Sequence, residues 1–81
     1  MKIQILGTGC SKCKVLTANA EKAVQELGLT AAVEKVTEIQ EIMKFQILMT
    51  PGLVIDGKVK SAGRVPSSDE IKEMLKDVGG N

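Results

Sequence analysis

The chain has 81 residues, 43% of them apolar, with eleven basic and ten acidic side chains and a net charge of +1. That length fits a single domain over residues 1–81 with a modest core, and since Phe45 is the only aromatic, the core must be aliphatic. A near-neutral balance and the lack of Trp and Tyr argue against nucleic acid or an anionic membrane as partner, and the lack of His removes the commonest general base and metal ligand.

Taken in chain order, residues 2–6 form an Ile- and Leu-rich run expected to be a buried strand, broken by Gly7-Thr8-Gly9. The run is too short for a secretory signal, and no stretch approaches the roughly 20 apolar residues that span a bilayer. The expected location is therefore cytoplasmic. Cys13, Leu16, Ala20, Ala23, Val24 and Leu27 recur at spacings of three and four, which places them on one face of a helix. Gly28 stands where such a helix would end. Residues 31–37 read as an edge strand carrying Val33 and Val36. Ile39, Ile42, Met43 and Ile47 predict a second, shorter helix, with Met43 filling core space. Leu53-Val54-Ile55, Asp56-Gly57 and Lys58-Val59-Lys60 are a hairpin signal, because Asp-Gly accepts the positive φ angles of a two-residue turn. Ser67 and Glu70 have capping-box spacing ahead of Ile71, Met74, Leu75 and Val78. Residues 78–81 are expected to form a frayed tail.

The resulting order is β-α-β-α-β-β-α, an α/β class. A helical crossover makes the first two strands parallel, and the hairpin adds antiparallel strands to the same sheet. This gives a four-stranded mixed sheet with three helices covering its two faces.

The chemistry is concentrated in Cys10-Ser11-Lys12-Cys13. In a reducing compartment two cysteines at this spacing point to catalysis or metal binding rather than a structural staple. They fall where a strand gives way to a helix, and a helix start carries unpaired N–H groups and the positive end of the macrodipole. A thiolate there has a lowered pKa and is the reactive form. Lys12 adds positive charge in the same direction. On a helical turn the two side chains approach to about 5–6 Å between Cβ atoms, close to what a disulfide needs. Cys13 continues the apolar stripe and should be shielded; Cys10 precedes it and should be more exposed. Cys10 is therefore the expected nucleophile and Cys13 the resolving cysteine.

The chain resembles the small thioredoxin-fold proteins known as redox-active disulfide proteins, single-domain relatives of thioredoxin and glutaredoxin. The likeness rests on Lys2-Ile3-Gln4-Ile5, Gly7-Thr8-Gly9-Cys10 followed by Cys13, Thr50-Pro51-Gly52 ahead of a strand, and Gly63-Arg64-Val65 before the last helix. The resemblance implies a cis peptide bond at Pro51, packed beside the cysteine pair, whereas the general preference of X–Pro bonds is trans. It also implies that Gly9, Thr50 and Pro51 contact an extended client segment. Met49, just before Thr50-Pro51, reads from its position as an apolar contact surface near the cysteines. Gly63 reads as a close turn and Arg64 as a solvated charge. The expected activity is thiol–disulfide oxidoreduction by a monomer or weak dimer. It would draw electrons from a disulfide reductase, pass them to client protein disulfides, and need no cofactor beyond the Cys10–Cys13 disulfide.

This sequence departs from the family in three ways. Ser11-Lys12 replaces the Gly-Pro of thioredoxin and the Pro-Tyr common in glutaredoxins, no aromatic precedes the motif, and strand 1 holds no acid to accept a proton. The alternative weighed against this reading is a soft-metal module carrying Cu or Zn on the two thiolates. Heavy-metal-associated domains share the cysteine spacing but run β-α-β-β-α-β and so end on a strand, whereas this chain ends on the helix that follows its hairpin.

Overall fold

A computed structural model describes residues 1–9 and 11–79. Its elements are β1 (Lys2–Leu6), α1 (Ser11–Leu27), β2 (Ala32–Val36), α2 (Ile39–Met43), β3 (Gly52–Ile55), β4 (Lys58–Ala62) and α3 (Ser68–Gly79). The strands form one sheet in the order β2-β1-β3-β4. β2 is the expected edge strand, parallel to β1, while β3 runs antiparallel to both β1 and β4. β1 and β3 are therefore central, and their inner residues have the lowest exposure in the sheet.

Alternation along β1 and β3 divides the core into two layers. Ile3, Ile5, Leu53 and Ile55 meet Leu16, Ala20 and Ala23 of α1 and Ile71 and Leu75 of α3 on one face. Leu6 and Val54 meet Ile42, with Val36, Phe45 and Ile47 packed around them, on the other. Two helices thus cover one face and α2 the other. Full burial of an aliphatic side chain is worth about 1.5–3 kcal/mol, and the larger layer supplies most of that burial.

Each element ends for a local reason. α1 stops in a Schellman arrangement, with Gly28 N–H donating to the Gln25 carbonyl at 3.1 Å and Leu29 N–H to the Val24 carbonyl at 3.1 Å. Asp56 (φ 49°) and Gly57 (φ 83°) make the predicted hairpin turn. Asp56 also ties the hairpin to β1: its N–H donates to the Lys2 carbonyl at 2.8 Å and its carboxylate accepts from the Lys2 N–H at 2.8 Å. The ladder between β3 and β4 is irregular beside Leu53 and Val54, with Leu53 opposite Ser61 but Val54 opposite Val59. Lys60 is the extra residue of a bulge.

Two expectations are corrected. α2 has only five residues, and of its predicted apolar stripe Ile42 alone is buried; Ile39 is 63% and Met43 66% exposed. A helix of little more than one turn presents a narrow contact, so residues 39 and 43, four apart, share an outward face. Met43 does not fill the core, whereas Met74 packs against the larger layer as expected. At the C-terminus α3 continues through Gly79, past the point at which the tail was expected to begin. The rest of that predicted tail, Gly80 and Asn81, lies outside the described residues.

The capping box at α3 forms in both directions. Glu70 N–H donates to Ser67 Oγ at 3.2 Å, and Ser67 N–H donates to the Glu70 carboxylate at 3.1 Å. Arg64, rather than standing alone in solvent, pairs with the same carboxylate at 3.1 Å. The Ser67 N–H bond first, and then Arg64, hold the Glu70 carboxyl below its ordinary pKa. A folded-state pKa below the unfolded value means that Glu70 stabilises fully above the ordinary carboxylate range and loses its effect as the pH falls through the lower folded-state value. Urea unfolding should therefore show Ser67→Ala destabilised by about 1 kcal/mol at neutral pH. The gap between the native chain and Glu70→Gln should be widest at neutral pH and close in acid.

Candidate functional site

The site lies where β1 delivers the chain to α1. Leu6 ends the strand, and Gly7 remains in register by donating its N–H to the Val36 carbonyl at 3.0 Å. Thr8 and Gly9 are exposed, and α1 begins at Ser11. Gly9 has φ +95°, a left-handed conformation that side chains disfavour. Cys10, the expected nucleophile, lies outside the described residues. Lys12 is exposed in the first turn of α1, and no acidic residue occupies that turn. The positive end of the helix is consequently not neutralised by its own side chains.

Cys13 faces inward with only 6% of its surface exposed, as its place on the apolar stripe requires. Thr17, one turn on, is buried and donates its hydroxyl to the Cys13 carbonyl at 2.9 Å. This bond satisfies a polar group that would otherwise be costly inside the fold. It also ties the cysteine's turn to the next one.

The space for the Cys13 sulfur comes from Gly7. A Cβ at Gly7 would collide with Cys13 Sγ and would lie 4.0 Å from the Cα of Pro51. Three parts of the chain thus converge: the end of β1, the start of α1 and, far along the sequence, the segment opening β3. The Thr50–Pro51 peptide bond is cis, as the resemblance implied. Pro51 is buried and Thr50 exposed. The Pro51 carbonyl accepts the Gly63 N–H at 2.9 Å, so the end of β4 pins the proline in place. Among the described residues no hydrogen bond engages the backbone of Thr50.

Gly63 does more than turn the chain. Its φ of +83° suits glycine, and a Cβ there would stand 3.0 Å from Met49 Cβ and 3.2 Å from its sulfur. Met49 therefore lies over Gly63 while remaining 64% exposed, next to a fully exposed Leu48. Asn19 of α1 donates its amide to the Pro66 carbonyl at 3.0 Å, fixing the loop that follows Gly63 against the helix.

Sequence reasoning marked Cys13, Lys12, Gly9, Thr50 and Pro51 but missed the roles of Gly7, Thr17 and the Gly63–Pro51 bond. Gly7 could be read only as a strand-breaker, because its contact partner is six residues ahead on another element. Thr17 interrupts an otherwise apolar stripe at a spacing of four from Cys13, which is the one sequence signal that could have found it.

A family model described as a thioredoxin domain matches residues 1–76. A curated thioredoxin from Methanothermobacter thermautotrophicus is 49% identical over 75 residues, covering 93% of this chain and 97% of its own. A second, from Methanocaldococcus jannaschii, is 46% identical over 74 residues, covering 91% and 85% respectively. The likeness takes in β1, the helix start, the cis-proline segment and α3 together, so it is one of the whole chain and not of a motif. On that ground the chain belongs to the thioredoxin family, as a thioredoxin-like thiol–disulfide oxidoreductase.

Proposed function

We propose that Cys10 and Cys13 are the exchanging pair, with Cys10 as nucleophile and Cys13 as resolving thiol. The observation that supports this most is the burial of Cys13 against Gly7, which suits a shielded thiol that acts second. In the first step the Cys10 thiolate attacks a client disulfide. A Cys10–client S–S bond forms, the client S–S bond breaks, and one client sulfur leaves as thiolate. Cys13, deprotonated, then attacks Cys10 Sγ, closing the internal disulfide and releasing the second client sulfur. Two electrons pass from the protein dithiol to the client, and two protons end on the client thiols. A disulfide reductase restores the dithiol.

The surrounding residues suit this sequence of steps. The unneutralised start of α1 and Lys12 favour the attacking thiolate over the thiol. Thr50 is exposed with an unengaged backbone, so an extended client segment can hydrogen-bond there alongside Pro51 and Gly9, with Met49 as apolar contact. No helix among the described residues is long and apolar enough to cross a membrane, and the chemistry suits a reducing, cytoplasmic setting where a reductase keeps the pair reduced.

Two measurements check these roles. Incubated with a disulfide-containing peptide, Cys13→Ser should accumulate a mixed disulfide visible by intact mass, and Cys10→Ser should not; the reverse pattern would exchange the two assignments. Gly7→Ala forces Cys13 Sγ out of its position. It should lower stability by about 1–3 kcal/mol and slow client release in single turnover on the order of tenfold to a hundredfold, the usual cost of a misplaced reacting atom. Unchanged release would show that Gly7 has no part in positioning the resolving thiol.

A further inference from the structure

Two of the four methionines stand well clear of the core. Met43 is 66% exposed at the end of α2, and Met49 is 64% exposed in the loop ahead of β3. Met74 by contrast packs against the larger core layer. Exposure alone does not separate Met49 from Met43; position does.

Met49 is joined to the cysteine end by two routes. Along the chain, Thr50 alone separates it from Pro51, whose Cα borders the niche that holds Cys13 Sγ. Through space, a Cβ built on Gly63 would stand 3.0 Å from Met49 Cβ, 3.2 Å from its sulfur and 3.4 Å from its terminal methyl. The thioether therefore lies along Gly63, the residue whose N–H holds the Pro51 carbonyl at 2.9 Å. Met43 stands on α2, well before this loop, and none of the atoms nearest Gly63 is its own. A thioether is apolar and adaptable, whereas its sulfoxide is polar and chiral. With Gly63 against one side of the sulfur, an added oxygen must project from the exposed side, or the side chain must leave Gly63. Either way the apolar surface beside Thr50 is lost.

We propose that Met49 is a reversible oxidation site, at which a peroxide converts the thioether to the sulfoxide and so slows exchange with client proteins. The inference rests on the thiol-exchange reading above and adds to it a chemical control on the client-contact loop. The sulfur attacks one peroxide oxygen, the O–O bond breaks, an S=O bond forms and the second oxygen leaves as water. The sulfur gives up two electrons and the peroxide takes them. A methionine sulfoxide reductase reverses the change, drawing two electrons and two protons from thiols and releasing the oxygen as water.

The test protects the cysteines first. The protein, oxidised to its internal disulfide, is treated with dilute hydrogen peroxide, and peptide mapping by mass follows each methionine. Dithiothreitol, which reopens the disulfide and leaves sulfoxides untouched, then yields the dithiol form. Its single-turnover reduction of a synthetic peptide, closed by one disulfide with leucine beside each cysteine, is measured. Met49 should gain its oxygen ahead of Met74. The treated protein should reduce the peptide about fivefold more slowly than the untreated, the cost of one well-packed contact at an interface. Methionine sulfoxide reductases of both stereospecificities should restore the rate, which over-oxidised cysteines would not allow. Each variant is compared with its own untreated rate: Met43→Leu should keep the full loss and Met49→Leu should show none. Four outcomes would overturn the inference while leaving thiol exchange intact: oxidation of Met49 no earlier than Met74, an unchanged rate once Met49 is oxidised, a loss the reductases do not repair, or an equal loss in Met49→Leu. Failure of the untreated protein to reduce a peptide that dithiothreitol reduces would overturn the exchange reading and this one with it.

Discussion

The structure depends on a close approach that a single methyl group would prevent. Gly7 follows β1 without a side chain, the sulfur of Cys13 takes the space a Cβ would fill, and the Pro51 Cα lies 4.0 Å from that position. A buried thiol needs neighbours that do not clash and do not strand it in a void, since interiors are packed as densely as organic crystals. Here the neighbour is backbone. That choice fixes three elements against one another: β1 delivers Gly7, α1 delivers Cys13, and the loop into β3 delivers Pro51. The Gly63 N–H on the Pro51 carbonyl then brings β4 into the same arrangement.

The scaffold behind this junction is aliphatic and economical. Only Phe45 is aromatic, so burial relies on Ile, Leu, Val and Ala distributed over two layers. The layer beneath α1 and α3 is the larger, and it is the one that anchors the reactive helix start. The thinner layer under α2 leaves Ile39 and Met43 exposed. An 81-residue chain cannot bury every apolar stripe it presents, and the stability of the cysteine end comes from the face where the two long helices lie.

Much of this architecture is legible in the sequence because it is local. The period of α1, the Asp56-Gly57 turn and the Ser67–Glu70 box each depend on residues within a few positions of one another, and each forms as read. α2 misleads because the pattern of Ile39, Ile42, Met43 and Ile47 assumes a helix long enough to keep one face inward, whereas the helix ends at Met43 and Ile47 reaches the core from the loop beyond. The packing roles of Gly7 and Gly63 are hidden in the sequence for a different reason. A glycine in sequence signals freedom of the backbone; that it makes room for Cys13 or Met49 is a fact about another element, and only the packed chain shows it.

The departures from the thioredoxin pattern acquire physical content at the same junction. β1 buries Ile3 and Ile5 where an acid could have accepted a proton near Cys13, and among the described residues no carboxylate lines the pocket beside Cys13. In the proposed exchange such a setting favours a thiolate through the field of Lys12 and the helix start rather than by taking up a proton. It therefore assigns deprotonation to water or to the departing client sulfur. In that proposed sequence the client thiolate released in the first step is itself a base, present before Cys13 must lose its proton. The proposed reaction thus supplies its own proton acceptor and does not require a buried acid in β1.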